Sequence, residues 1–295
     1  MTTLLAELDR ALAQRAAQGG PARLHSRPLA AGEGWWVEDL VCTADHRDRS
    51  FEESRSHVAI ALVVAGSFQY RSPAGRAMMT PGSLLLGNPG DPFECGHEHG
   101  AGDRCVSFSY SPWFVEEIAS SAGVRPGQMA FKISRLPPMP DWAPLVARAC
   151  SGLFVEAEAA WEELALELWV KAVAADHGRS RPTAPPSGAE ARVTRVARLI
   201  ERAGEHEPFT LQRLAREAGM SRYHFLRTFQ AMTGVTPHQY VCRTRLRHAA
   251  TRLVEDGARV IDIAFDSGYG DVSNFNHAFR REFGMSPRQF RRRFS

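Results

Sequence analysis

Two cysteines and two histidines lie close together in the segment 93–105, and all four side chains are of types that bind zinc. Cys95, His97, His99 and Cys105 fall within eleven positions. Two thiolates and two imidazoles form a plausible tetrahedral set for this ion. Alternation along a strand would place the first three on one face, with Cys105 returning on the next strand. The sequence therefore predicts a zinc site built from these four residues.

The same segment has two other interpretations. In the first, the segment is a polar loop that closes a barrel, and its histidines hydrogen-bond nearby carboxylates. Glu98 and Asp103 could supply these carboxylates, or could support the imidazoles of a metal site. A thiol near a histidine can also have a lowered pKa, so Cys95 and Cys105 would then form a redox switch. The spacing is not that of a standard zinc motif, and the sequence leaves all three interpretations open.

The distribution of charge indicates a second kind of chemistry. Residues 191–295 contain 19 arginines and 10 acidic residues, a net charge of +9. Residues 1–190 contain 17 basic and 23 acidic residues, a net charge of −6. A basic domain of this size favours a polyanionic partner. Its positive charge is arginine, whose guanidinium forms bidentate contacts with phosphate and guanine.

An internal repeat occupies the basic region. Several residues recur at an offset of 50: Phe225 as Phe275, Phe229 as Phe279, Gly234 as Gly284, Pro237 as Pro287 and Gln239 as Gln289. A fixed offset indicates one supersecondary unit used twice. In each unit a short helix, a glycine turn and a second helix capped by Ser221 or Asp271 predict a helix-turn-helix. The second helix of such a unit lies in a major groove, where Arg pairs with guanine and Asn with adenine.

Residues 192–292 resemble the DNA-binding domain of the AraC/XylS family of bacterial transcription regulators. The stretches that carry the resemblance are LAREAGMS at 214–221, GVTPHQY at 234–240, IAFDSGY at 263–269 and FRREFGMSP at 279–287. The resemblance implies two recognition helices that enter successive major grooves on one face of DNA. It assigns the DNA-binding positions to Arg222, Tyr223, Arg227, Ser273, Asn274, Asn276 and His277. The second helix departs from the common family pattern at Val272 and His277, so the target sequence does not transfer.

The pattern of residues 35–110 is that of short β-strands separated by glycine and proline turns, which predicts a small barrel or sandwich. From 140 to 176 the apolar spacing becomes helical. Together with TPGSLLL at 80–86, this part resembles the cupin-like sensor domain often joined to AraC-type DNA-binding domains. The usual early His-x-His metal motif of cupins is not found at its expected place.

We therefore predict an α+β protein. A cupin-like β-barrel with a helical pair at 1–176 would sense an effector and form a dimer. A linker rich in proline and glycine would occupy 177–190, and an all-α double helix-turn-helix domain would occupy 191–295. The resemblance implies a homodimer that binds a double-stranded DNA operator and RNA polymerase. It also implies a response to a small effector, and the segment 93–105 adds a metal or a redox signal as alternatives. Activation is the expected form of control, with repression as the alternative.

Other function classes are less favoured by the sequence. Five cysteines are an odd and sparse set, which argues against a disulfide framework and for a cytoplasmic protein. No apolar run approaches the roughly 18 residues that a membrane span requires. Because no P-loop, dinucleotide fingerprint or nucleophile elbow is found, we expect no enzyme. The alternative is a metal-dependent cupin enzyme tethered to DNA by the helix-turn-helix module.

Overall fold

A computed structural model describes residues 4–48, 50, 52–97, 100–121, 129–153, 159–177, 188–203, 207–255 and 257–294. Contacts between residues divide the chain into two compact units. A sheet-rich unit comprises Leu5–Pro138 and Glu156–Ala184. A helical unit comprises Met139–Val155 and Pro185–Ser295, together with Met1–Leu4.

The strands all belong to the first half of the described chain. In chain order they are β1 (Leu24–Gly32), β2 (Trp35–Asp45), β3 (Glu53–Ser54), β4 (Val58–Gly66), β5 (Phe68–Ser72), β6 (Gly75–Met79), β7 (Leu84–Gly87), β8 (Pro92–Gly96), β9 (Ala101–Tyr110) and β10 (Arg135–Leu136).

The helices begin near the N-terminus and dominate the second half. In chain order they are α1 (Leu4–Gln18), α2 (Pro112–Ser121), α3 (Ala143–Gly152), α4 (Ala159–His177), α5 (Ala189–Arg202), α6 (Leu211–Glu217), α7 (Arg222–Thr233), α8 (Pro237–Glu255), α9 (Val260–Asp266), α10 (Val272–Phe283) and α11 (Pro287–Phe294).

The strands form two antiparallel sheets. One sheet has the order β1-β2-β9-β4-β7-β10, and the other has the order β3-β8-β5-β6. An apolar cluster with residues from both sheets includes Ala61, Val63, Phe68, Tyr70 and Phe93. The predicted α+β class, with a cupin-like sheet domain and a helical domain, is confirmed.

Strand β2 shows how the sequence separates the two faces of the larger sheet. Its residues alternate between buried and half-buried along all eleven positions, as a strand with two different faces requires. On the outer face, Leu8 of α1 packs against Val41. Trp161 of α4 packs on Phe108, and the Tyr110 hydroxyl donates to the Ala165 carbonyl at 2.8 Å. Residues on the other face, such as Leu40, join the interior cluster.

Two helix-turn-helix units, α6–α7 and α9–α10, occupy the helical unit, with α8 between them. The Ser221 hydroxyl caps α7, and the Asp271 carboxylate caps α10. Gly219 and Gly268 take the left-handed conformation in the two turns. The predicted core residues that recur in the repeat, Phe225, Phe229, Phe275 and Phe279, are fully buried.

Helix α3 lies within the stretch up to 176 that was predicted as the sensor domain. It contacts α10, and contacts between residues group it with the helical unit. The boundary at 176 stays a prediction. Apolar periodicity predicts a helix but does not reveal which partner covers its apolar face. Helix α4 extends to His177 and α5 begins at Ala189. Most of the predicted linker, 178–187, lies outside the described residues.

Candidate functional site

The first recognition helix, α7, presents a polar face at its N-terminal half. Ser221 stops the chain in an extended conformation, and its hydroxyl accepts from the backbone N–H of His224 at 3.3 Å. Arg222, Tyr223 and Arg227 are exposed on the opposite side from the buried phenylalanines. The Arg227 guanidinium lies 5.7 Å from the centroid of the Tyr223 ring, which is 70% exposed. These three predicted DNA-binding residues therefore share one solvent-facing surface.

The second recognition helix, α10, presents Ser273, Asn274, Asn276 and His277 to solvent. The two asparagines have different surroundings. The Asn274 amide donates to one carboxylate oxygen of Asp271, and the Asn274 backbone N–H donates to the other at 2.8 Å. Val272, which departs from the family pattern, is half-buried and packs on the core of this unit.

Some arginines of the helical unit have structural roles. Arg291 donates to the backbone carbonyls of Leu253 and Ala258 at 3.0 and 2.6 Å. Arg245 donates to the carbonyl of Glu207 at 3.0 Å, and Arg243 lies 3.3 Å from a carboxylate oxygen of Glu282. The basic charge of this unit is therefore divided between internal contacts and the exposed recognition surface.

Three potential metal ligands meet inside the sheet-rich unit. The ligand atoms of Cys42, His97 and Asp103 all lie within 4.8 Å of one another. Cys42 on β2 is directly opposite Asp103 on β9 in the strand register, so their side chains share a face. His97 follows β8, and its Nε2 lies 2.7 Å from a carboxylate oxygen of Asp103. Phe68 stacks on the His97 ring at 5.8 Å between centroids.

Two further thiols lie close to this trio. The Cys105 thiol donates to the second carboxylate oxygen of Asp103 at 3.3 Å. Cys95 packs against the interior apolar cluster that contains Cys105. Burial, reinforced by the negative charge of Asp103, raises the pKa of Cys42 to about 12 and also raises the pKa values of Cys95 and Cys105. These thiols are therefore protonated at neutral pH in the absence of a metal, which makes them slow nucleophiles.

The four-residue zinc set predicted from the sequence is only partly described. His99 and Glu98 lie outside the described residues. Of the predicted ligands, His97 is in the close group, whereas Cys95 and Cys105 are not in it. The contact predicted between Asp103 and an imidazole is present, although it fits both a metal site and a polar loop. Cys42 was missed, because its approach to Asp103 depends on pairing between strands about sixty positions apart.

A second part of the barrel interior contains a cation and aromatic rings. The Arg55 guanidinium lies 3.9 Å from the centroid of the Phe93 ring. It also lies close to Gly87, where an added Cβ would be 2.8 Å from a guanidinium nitrogen of Arg55. The His57 ring meets Trp36 edge-on at 4.8 Å. Burial, together with Arg55, lowers the pKa of His57. These groups could contact the flat, negatively charged part of a small ligand.

Comparison with known proteins agrees with both units. Residues 214–293 match the family described as a helix-turn-helix domain, and residues 40–173 match the AraC-like ligand binding domain. Regulatory protein SoxS of Salmonella typhimurium is 34% identical over 100 residues, which are 33% of this chain and 94% of SoxS. The transcriptional activator RhaR of Escherichia coli is 32% identical over 117 residues, or 39% of this chain and 40% of RhaR.

A solved structure of an AraC-type transcriptional regulator from Chromobacterium violaceum is 26% identical with a TM-score of 0.35. It covers 37% of this chain and 96% of that one. The fold and the family matches define a DNA-binding regulator with a ligand-binding domain. The chain belongs to the AraC/XylS family of transcription regulators. In the part of the chain that the structure describes, no helix combines the length and apolar character needed to cross a membrane.

Proposed function

We propose that this regulator recognises a specific DNA sequence through α7 and α10 and changes its affinity for that sequence when its barrel binds a signal. One observation carries the DNA half of the proposal. The two repeated helices bury the same phenylalanine positions and expose a short polar face beside each turn. This is the surface that a helix-turn-helix places against base edges in a major groove.

The exposed residues divide by the chemistry they offer to DNA. Arg227 is suited to a bidentate contact with guanine, and Asn276 to one with adenine. Arg222 and Tyr223 lie on the same surface, where the arginine would contact phosphate. Ser273 and His277 offer shorter polar contacts on α10. Asn274 is assigned a smaller role, because its amide is already bonded to the capping Asp271.

The barrel is proposed to bind the signal between its two sheets. Arg55 supports a ligand with an anionic group, because no ion pair described for this chain uses that guanidinium. Homodimer formation, contact with RNA polymerase and activation of transcription are part of the same proposal and come from the family relationship. An enzyme tethered to DNA is not proposed, because the matched relatives are named as regulators.

The test is selection of binding sites from random DNA by the full chain and by two variants of one residue. Arg227→Lys retains the positive charge but loses the planar fork, whereas Arg227→Ala loses both. We expect both variants to lose preference at one guanine position by about 5- to 150-fold. The lysine variant should keep most of the salt dependence of binding.

Far-UV circular dichroism would confirm that both variants are folded. An unchanged selected sequence for folded Arg227→Ala would refute the assignment of α7 as a recognition helix. The absence of any selected sequence for the unmodified chain would refute sequence-specific binding.

A further inference from the structure

We propose that Cys42, His97 and Asp103 bind one Zn²⁺ ion inside the sensor barrel. The inference deepens the proposed sensor role, and it rests on that role only for its consequence in regulation. Sulfur, imidazole nitrogen and carboxylate oxygen together are a ligand set that suits zinc better than magnesium or calcium.

The positions of the three residues support this assignment. Zinc bonds of about 2.0–2.3 Å place neighbouring ligand atoms around one ion about 3.5 Å apart. The three ligand atoms already lie within 4.8 Å of one another, so side-chain movements of about 1 Å would complete the site. Cys42 and Asp103 are held on paired strands, and His97 is fixed by Asp103 and by the stacked ring of Phe68.

The burial of the cluster also bears on whether it binds a cation. His97 and Asp103 are buried, and Cys42 is half-buried on the interior face of β2. A buried carboxylate needs polar partners, and for Asp103 these are now the His97 ring and the Cys105 thiol. Zinc would bond to the Asp103 oxygen that now faces His97, and the thiol proton of Cys42 would be released to solvent. The remaining carboxylate oxygen would keep its contact with the Cys105 thiol.

Three protein ligands leave the fourth position of a tetrahedral ion open. Structural zinc sites usually have four protein ligands, whereas catalytic zinc sites have three and a water that other ligands can replace. The proposed site is therefore of the kind that exchanges its ion or an added ligand, as a sensor requires. Cys105 is assigned as a hydrogen-bonding neighbour of Asp103 rather than a ligand.

The experiment is a zinc titration of the full-length chain without an affinity tag, under reducing conditions, with a chromophoric chelator as competitor. We expect about one zinc ion per chain. Cys42→Ser, His97→Gln and Asp103→Asn should each weaken binding by at least about tenfold. Cys242→Ala is the matched control, because Cys242 also lies beside a histidine, His238, at 3.8 Å. Cys242→Ala should bind zinc as the unmodified chain does.

Cobalt substitution keeps the proposal testable if a variant fails to fold. Cobalt bound to the unmodified chain should show a charge-transfer band of one thiolate. The site would be overturned by any of four results. These are no zinc binding, full binding by folded Cys42→Ser, loss of binding in folded Cys242→Ala, or a cobalt spectrum that shows no thiolate or several thiolates. A disulfide among Cys42, Cys95 and Cys105 that forms readily in place of zinc binding would also overturn it.

Operator binding measured on the same samples separates this inference from the proposed function. A chain that binds DNA specifically but no zinc refutes only the metal site. A chain that binds zinc but selects no DNA sequence refutes only the proposed recognition of DNA.

Discussion

The two helix-turn-helix units and the barrel interior place their functional residues in different ways. In α7 and α10 the exposed residues lie within six positions of one another and beside their own cap. In the barrel, Cys42 lies 55 positions before His97 and 61 before Asp103, yet the three side chains meet. A recognition helix is therefore specified by local spacing, whereas the interior cluster depends on the pairing of distant strands. The predictions below test this contrast, beginning with the largest effect.

The strand pair that brings Cys42 to Asp103 has a buried ion pair on its other face. Asp39 of β2 accepts from Arg104 of β9 at 2.8 and 2.7 Å, and both side chains are nearly inaccessible. Arg104→Met leaves the Asp39 carboxylate buried with only Arg27 as partner. We expect a loss of about 3–5 kcal/mol in the free energy of unfolding. Tryptophan fluorescence during urea unfolding would measure it, since five of the six tryptophans lie in the sheet-rich unit.

The matched variant for this prediction removes both charges. The double variant Asp39→Leu/Arg104→Met should recover much of the stability lost by Arg104→Met, because it removes both charges of the buried pair. If the free energy of unfolding of Arg104→Met lies within about 0.5 kcal/mol of that of the unmodified chain, the ion pair does not stabilise the pairing of the two strands.

Tyr240→Phe tests the helical unit. The Tyr240 hydroxyl donates to the half-buried carboxylate of Glu201. Desolvation raises the pKa of this carboxyl, and the bond to Tyr240 lowers it in part. Without the hydroxyl we expect a loss of about 2 kcal/mol, measured by circular dichroism during urea unfolding. Tyr269→Phe is the control, because no hydrogen bond of its hydroxyl is described, and it should cost less than about 0.5 kcal/mol. Equal losses would contradict a specific role of the Tyr240–Glu201 bond.

The sequence predicted the caps, turns and buried phenylalanines of the two helix-turn-helix units, for a physical reason. Caps such as Ser221 and Asp271, the turn glycine Gly219 and the buried Phe225 act within one or two helical turns. Their spacing can therefore be recognised directly in the sequence, and the same spacing occurs in both copies of the repeat. The partner of α3 was not predictable, since an amphipathic helix can pack on any apolar surface.

The two asparagines of α10 test which exposed side chains of a recognition helix contact DNA. Asn276→Ala should weaken binding to the selected DNA site by about tenfold, because this exposed amide is free to pair with adenine. Asn274→Ala should change binding less, because the Asn274 amide is engaged by Asp271. Competition binding at fixed salt would measure both affinities. The reverse order would show that the cap contact is given up when DNA binds.

The pH dependence of the barrel should be the smallest effect. Burial raises the pKa of Asp39, but the nearby guanidiniums of Arg104 and Arg27 lower it more, so the net pKa is below the usual 3.8. A lowered pKa means that ionised Asp39 stabilises the folded state at neutral pH, and that this contribution is lost as pH falls below about 4. Each unit of lowering corresponds to about 1.4 kcal/mol.

Unfolding free energies at pH 7 and pH 3 measure this dependence. The double variant Asp39→Leu/Arg104→Met should lose less stability over this range than the unmodified chain. An equal loss in the two proteins would assign the acid sensitivity to other carboxylates.

The barrel interior was less predictable from the sequence than the helices. Strand patterns indicated β2 and β9, but not that Cys42 would face Asp103, because register between distant strands has no local signal. Strand β1 was not predicted, since it shows no clean apolar alternation. The segment that contains Cys95 and Cys105 also supplies two members of the close group, His97 and Asp103. Strand pairing supplies the third member, Cys42.

The central claim is that both repeated helices read DNA, and footprinting on a selected operator tests it most directly. Each copy of the unmodified chain should protect two patches on one face of the duplex, about 10–10.5 base pairs apart. Arg227→Ala should weaken one patch and His277→Ala the other, with each variant still folded by circular dichroism. A single protected patch, or two patches that both survive each substitution, would contradict the account.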